Sequence, residues 1–222
     1  MSVAIAIDGP AGAGKSTIAK LAASTLGFIY VDTGALYRAI GLSAIRRGYT
    51  KEHTEQIVAM LDLITVELSF NADHEQIVLL NGEDVTGLIR TPEISMMASA
   101  VSAIPAVRAY LLELQRSIAR TNNVIMDGRD IGTVVLPDAQ LKIFLTASPE
   151  CRARRRYDEL VEKGMDVVFD DVLRDVVDRD YADSHRAIAP LKPAEGAILV
   201  DTSGETLDQS VQKLLKIMRE HL

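Results

Sequence analysis

Tryptophan is absent, cysteine occurs once, and aromatic residues make up only 5% of the 222 residues. A single thiol, Cys151, excludes an intrachain disulfide, and four scattered histidines without ligand spacing give no zinc pattern. Redox and zinc chemistry therefore drop out. No apolar run approaches the ~20 residues that a membrane-spanning helix needs. The opening MSVAIAI has no basic stretch before it and meets Asp8 early, so it reads as a strand rather than an export signal, with cytoplasmic residence expected. Positive charge is also in deficit: 24 Lys and Arg against 31 Asp and Glu leave a formal net charge of −7. Nucleic acid and anionic membranes are drawn to broad basic footprints, so neither is an expected partner. Anionic ligands must instead be met by local clusters of arginine.

What the chain has is an ordinary globular composition, 48% apolar and 25% charged, at a length that suits one α/β domain with insertions. Five short apolar runs read as buried strands: Val3 to Asp8, Phe28 to Asp32, Val124 to Asp127, Leu141 to Leu145 and Ala197 to Asp201. Helical spacing appears between them over Thr17 to Leu26, Ala35 to Arg46, Val107 to Ala119 and Leu207 to Met218. The alternation predicts a doubly wound five-stranded parallel sheet covered on both faces. Ligands bind beyond the carboxyl ends of such strands, and four of the five runs finish on aspartate: Asp8, Asp32, Asp127 and Asp201.

Two stretches break the alternation. Residues 65–86, TVELSFNADHEQIVLLNGEDVT, hold two β-like segments around Asn71-Ala72-Asp73 and then Asn81-Gly82, which predicts an antiparallel hairpin or a small three-stranded insert. Residues 148–170, SPECRARRRYDELVEKGMDVVFD, are densely charged and broken at Gly164, and read as an arginine-rich helix and loop serving as a lid.

The strongest motif lies at the start. Gly9, Gly14, Lys15 and Ser16 match G-x-x-x-x-G-K-[ST] between a predicted strand and a predicted helix, the context the motif requires. Gly9, Pro10, Ala11, Gly12, Ala13, Gly14, Lys15, Ser16 and Thr17 are thus the candidate ATP-binding residues. Converging backbone N–H groups and a helix N-terminus suit phosphate; Lys15 reaches the β/γ-phosphates and the Ser16 hydroxyl can ligate Mg²⁺. A GTPase would also need N/T-K-x-D to read guanine, and that tetrapeptide is missing. A mechanical ATPase would need a partner surface that the acidic balance disfavours. A small-molecule kinase needs a second anion site, with arginines to hold two anions in line. Candidates follow the strands: Thr33 as an N-cap, then Tyr37 and Arg38, and further on Arg129 and Asp130. Asp127, ending a strand, is a candidate for orienting magnesium-bound water from an outer shell.

IDGPAGAGKST, DTGALYRAI, MDGRDIGT, LKIFLTAS and HRAIAPL occur in one order along nearly the whole chain, and together they resemble the bacterial cytidylate kinases. The resemblance implies a P-loop nucleoside-monophosphate kinase that uses ATP and Mg²⁺ to phosphorylate CMP and dCMP, and a monomer is expected. It implies a core of residues 1–35, 105–147 and 171–222, a monophosphate-binding subdomain at 36–104 that carries the β insert, and a lid at 148–170. It assigns Ser99, Arg108 and Asp130 to cytosine, Arg38 and Arg129 to the acceptor phosphate, and Arg179, Asp183 and Arg186 to the acceptor's sugar and phosphate. A carboxylate suits the N4 amino group of cytosine, whereas uracil presents an acceptor oxygen there. Among Arg152, Arg154, Arg155 and Arg156, the pair Arg152 and Arg156 is expected to close over ATP, beside Lys15, Arg38 and Arg129, as the catalytic charges. Ala11 stands where some members have serine, Thr33 likewise, and no role for Cys151 follows. The competing readings are a kinase that prefers UMP and a nucleotide-binding regulator without transfer activity.

Overall fold

A computed structural model gives the architecture of residues 2–72 and 74–222; Asp73, part of the expected hairpin turn, lies outside the described residues. In chain order the elements are β1 (Ala4–Asp8), α1 (Lys15–Leu26), β2 (Ile29–Asp32), α2 (Thr33–Arg46), α3 (Thr54–Met60), β3 (Val66–Phe70), β4 (Gln76–Leu80), β5 (Glu83–Asp84), α4 (Pro92–Val101) and α5 (Pro105–Thr121). Then follow β6 (Val124–Gly128), a single π-turn at Ile131–Val135, β7 (Leu141–Thr146), α6 (Pro149–Glu162), α7 (Phe169–His185), β8 (Ile198–Asp201) and α8 (Leu207–His221). The five expected strands form one parallel sheet in the order β2-β6-β1-β7-β8. Its apolar runs are explained by burial on both faces: Ile5, Ala6 and Ile7 are fully buried, as are Ile125 and Met126. Among the described residues no single helix is long and apolar enough to cross a membrane.

The chain divides into two compact units. One comprises residues 29–124 with Ser2, whose hydroxyl donates to the Ala119 carbonyl. Its core gathers Leu36 and Ile40 of α2, Val78 of β4, Val101 of α4 and Leu111 of α5. The expected insert is there as a second, three-stranded antiparallel sheet, β3-β4-β5, with Val66 opposite Leu80 and Phe70 opposite Gln76. Asn81 and Gly82 turn β4 into β5 with φ of 53° and 79°, the positive pair that an Asn-Gly turn supplies. Thr33 is not the N-cap of α2. Asp32, still extended at φ −84° and ψ 96°, takes that position, and its carboxylate accepts the Ala35 N–H at 3.1 Å, while Thr33 is already the first helical residue.

The other unit comprises residues 3–28 and 125–222. β1 pairs with β7 and β7 with β8, all parallel, with Ile7 opposite Ile143 and Phe144 opposite Leu199. α6 and α7 pack on each other through Ala153, Leu160, Val172 and Val176, a small core of their own. The expected arginine-rich helix and loop are therefore the first arm of a helical hairpin whose second arm is α7.

Gly9 fixes where the loop after β1 leaves the sheet. Its φ is +151°, and a Cβ there would lie 1.9 Å from the Leu145 carbonyl oxygen. Gly164 has φ +75° but open space around it. Gly9→Ala should therefore cost about 3 kcal/mol or more, a fall of at least roughly 6 °C in thermal midpoint at this chain length. Gly164→Ala should cost about 1 kcal/mol. Equal melting shifts for the two variants would mean that the β1–β7 approach tolerates a side chain.

Candidate active site

The loop after β1 has the features of an anion cradle. Gly9, Gly12 and Gly14 all have positive φ, and Gly14, at φ 86°, leads into α1 without any side chain capping that helix. The first N–H groups of α1 are thus left to an external acceptor, backed by the positive end of the helix dipole. Lys15 is buried, and its ammonium donates to the Pro10 carbonyl at 2.8 Å, folding the side chain across the loop. Burial pulls the Lys15 pKa down to about 7, and Arg129 pushes the same way, against the carboxylates of Asp127 and Asp8. Ser16 is exposed in the first turn of α1 and donates its hydroxyl to Asp127 Oδ2 at 2.8 Å.

Beyond β6 the same unit gathers a second set of charges. Arg129 Nε donates to Asp183 Oδ2 at 2.8 Å, joining the β6 edge to α7. Burial works against the Asp183 carboxylate, yet Arg129, with Arg179 and Arg186 adding their charge, holds its pKa below the ordinary value. Asp130 is buried, with Arg186 Nη2 at 3.5 Å from its Oδ1. Arg129, Asp130, Arg179, Asp183 and Arg186 are thereby linked into one arginine and aspartate cluster.

The unit of residues 29–124 carries arginines of its own. Arg38 Nη2 donates to Asp32 Oδ2 at 2.6 Å, and Arg90 Nη2 stands 3.5 Å from the same oxygen. Gln76 of β4 grips the main chain there twice, accepting from the Asp32 N–H at 2.8 Å and donating to its carbonyl at 3.1 Å. Arg108 is buried, lies over the Tyr37 ring at 5.8 Å from its centroid, and donates to the Ser102 carbonyl. Ser99, half-buried on α4, accepts at its carbonyl from the Ser102 hydroxyl. Thr33 is buried beside Asp32 in sequence.

A family model described as "Cytidylate kinase" matches residues 5–220. The chain belongs to the cytidylate kinase family. It is 51% identical over 214 residues to a cytidylate kinase of Carboxydothermus hydrogenoformans, with 96% of each chain covered. Against a cytidylate kinase of Caldanaerobacter subterraneus subsp. tengcongensis the identity is 52% over 221 residues, covering 100% of this chain and 96% of the other. Among solved structures, shikimate kinase from Bacteroides thetaiotaomicron aligns over 98% of both chains with a TM-score of 0.51 at 16% identity, a likeness of fold alone.

For a member of the cytidylate kinase family, the arginines of α6 differ from the expected lid in one important respect. Arg152 is not a solvent-facing charge free to swing over a nucleotide. It is 2% exposed, its two terminal nitrogens fork onto the Asp180 carboxylate, and it donates to the carbonyls of Ala147 and Ala11. A guanidinium so buried needs every donor satisfied, and α7 and the phosphate loop supply the acceptors. Arg154 stacks over Phe169 at 4.3 Å, and Arg155 donates to the Thr202 carbonyl at 2.9 Å. Arg154 is the exposed member of the four, while Arg156 is half-buried and pairs with Glu159 three residues on. Asp32 as a cap, Gln76, Arg90 and Asp180 all escaped the sequence reading. The strand-end position of Asp32 was a usable signal; for the others, nothing local in the sequence announces a partner 28 to 58 residues away.

Removing Arg152 leaves the Asp180 carboxylate and two carbonyls without their donor. Arg152→Ala is expected to lower stability by about 3 kcal/mol, and Arg156→Ala by less than about 1 kcal/mol, measured by urea unfolding. Equal effects would place Arg152 on the surface.

Proposed function

We propose that this chain transfers the γ-phosphoryl group of ATP to CMP or dCMP, giving ADP and CDP or dCDP. The carrying observation is the family match across residues 5–220, with two named cytidylate kinases near 50% identity over almost the full chain. The alternatives of a UMP-preferring kinase and a non-catalytic regulator draw no support from these relatives.

The donor half of the reading rests on the Gly9–Thr17 loop. Its glycine N–H groups and the uncapped start of α1 would bind the triphosphate. A cavity of about 270 Å³ lined by Gly14, Thr17, Ile18, Arg155, Glu205, Leu207 and Ser210 opens beside the loop, with room for the donor's base. The Ser16 hydroxyl and the Asp127 carboxylate, 2.8 Å apart, are hard oxygen donors, a set that suits magnesium, which takes few protein ligands and keeps water and phosphate oxygens. Ser16 would hold the ion directly and Asp127 through water. Bound there, the ion supplies charge neutralisation on the transferring phosphoryl group.

For the acceptor, Arg38 and Arg129 would bind the α-phosphate, since a planar guanidinium fork matches phosphate oxygens. Asp130 would accept from the cytosine N4 amino group, with Ser99 and Arg108 donating to the ring, and Thr33 and Tyr37 flanking the acceptor. Arg179, Asp183 and Arg186 would contact sugar and phosphate. No general base is needed, because the attacking oxygen is already an anionic phosphate; Lys15, Arg38 and Arg129 act by alignment and by offsetting charge. Arg156, half-buried and held by a pair with Glu159 alone among the contacts described, would move onto the donor within the 148–170 lid. Arg152 contributes from behind, by holding the Ala11 carbonyl of the loop. Residues 36–104 would serve as the acceptor-binding segment, and the kinase would act as a monomer.

Two measurements bear on this reading. In a coupled ADP-release assay CMP and dCMP should be far better acceptors than UMP, and Asp130→Ala should cut the CMP-to-UMP ratio of kcat/KM by roughly 100-fold. A better wild-type rate with UMP or AMP would sink the cytosine reading and leave the kinase intact. Separately, a triphosphate beside Lys15 restores its charge, raising a pKa that burial had brought to about 7. Binding of MgATP at about pH 8 should therefore take up close to one proton, seen by calorimetry in buffers of different ionisation enthalpy. Zero uptake would mean that Lys15 is already charged before ATP arrives.

A further inference from the structure

Asp8 has no part in the chemistry above, although it directly precedes Gly9. It ends β1 and is 2% exposed. Both carboxylate oxygens are occupied by backbone donors: Oδ1 accepts the Ile131 N–H at 2.7 Å and Oδ2 the Gly132 N–H at 2.8 Å. These are the first two residues of the π-turn, whose leading N–H groups have no acceptor inside the turn. Single π-turns are rare and tend to mark functional sites.

The residue just before that turn is Asp130. Its backbone sits at φ −149° and ψ 28°, and its carbonyl accepts from Val134 at 2.9 Å and Val135 at 3.2 Å. The peptides on its C-terminal side are thus held twice, by the turn through the Asp130 carbonyl and by Asp8 through the two N–H groups that follow. With the main chain fixed, the direction in which the Asp130 side chain leaves it is fixed as well. Asp8 fills this role at a cost: burial pushes its pKa up to about 6, the nearby Asp130 charge adds to the push, and the two N–H bonds and Lys15 only partly offset them. A neutral side chain would be easier to bury if filling space were all the position required.

We propose that Asp8 is a positioning residue for base selection, orienting Asp130 through the Ile131 and Gly132 N–H groups and so setting the discrimination of CMP from UMP. This rests on the reading of Asp130 as the group that meets the cytosine amine.

The test is the ratio of kcat/KM for CMP over UMP, because a ratio does not change with the fraction of enzyme that is folded. It is measured on wild type, Asp8→Asn and Asp130→Asn, with thermal midpoints alongside. In Asp8→Asn one amide oxygen can still accept, but the amide NH₂ faces the other N–H, and the ratio should fall about tenfold. Asp130→Asn should lower it further. If Asp130→Asn lowers the ratio while Asp8→Asn reduces both substrates equally and leaves it at the wild-type value, Asp8 only supports the loop and the inference fails alone. If Asp130→Asn leaves the ratio unchanged, the base reading fails and takes this inference with it. Should Asp8→Asn not fold, Gly132→Ala applies the same test without altering any charge. Its Cβ would lie 3.4 Å from Asp8 Oδ2 and 3.1 Å from the Ala194 Cβ, displacing the N–H that Asp8 holds. A ratio still at the wild-type value in Gly132→Ala overturns the inference.

Discussion

The structure is organised by what a carboxylate demands when it is buried at the end of a strand. Ionised and out of water, it must be given N–H groups or guanidinium ions, and whatever gives them becomes fixed in place. Asp8 takes two backbone N–H groups, Asp32 takes the start of α2 and the Arg38 side chain, and Asp127 takes the Ser16 hydroxyl. Asp201, the exposed strand-end aspartate, only closes a local turn onto the Ser203 N–H, and none of the site residues depends on it. The difference is burial. Only where water is excluded does the carboxylate need protein donors, and those donors are the segments to which the proposed chemistry is assigned.

The same logic separates arginines that the sequence presents as equivalents. Arg152 and Arg156 lie one turn apart among four arginines in five residues, yet one is the most enclosed cation of α6 and the other is partly exposed and pairs within its own helix. Arg152 is enclosed because Asp180 on α7, the Ala147 carbonyl and the Ala11 carbonyl all need a donor at one point, and a planar fork reaches them together. Arg129 is similarly committed to Asp183 and Arg38 to Asp32. These pairs connect residues 54 and 6 positions apart respectively, so the second lies within one helix entry and the first depends entirely on the fold.

That contrast also explains how far the sequence could be read. The five strands and the Asn-Gly turn were legible because their signals are local: continuous apolar runs for strands buried on both faces, and a dipeptide with the required positive φ. The phosphate loop was legible because its glycines, lysine and serine are contiguous. The aspartate that caps α2 was misplaced by one residue, since Asp32 reads equally well as the end of β2 and as the start of the helix, and it is both. The partners of Arg152 and Arg129 were not legible at all. Each is a carboxylate on α7, and the periodicity of a helix says which face a residue occupies but not which carboxylate it meets. A cluster of arginines therefore announced a charged helix without showing that Arg152 is its enclosed member.

Under the proposed function, a site for two anionic nucleotides would have to present cations without letting them repel one another or collapse into the loop. Pairing each arginine with a carboxylate resolves the first difficulty, because Arg38 and Arg129 are each held with their charge already compensated. It also keeps their guanidinium planes in one orientation, so that less order has to be imposed when a phosphate arrives. The compensation has a chemical consequence. A phosphate that binds to such a guanidinium shares it with a carboxylate or displaces that carboxylate, so part of the gross attraction is returned as repulsion. Affinity for the proposed acceptor would be tempered while geometry is kept. For a kinase this is the favourable balance, since tight ground-state binding contributes nothing to the chemical step, whereas alignment of the two phosphates does.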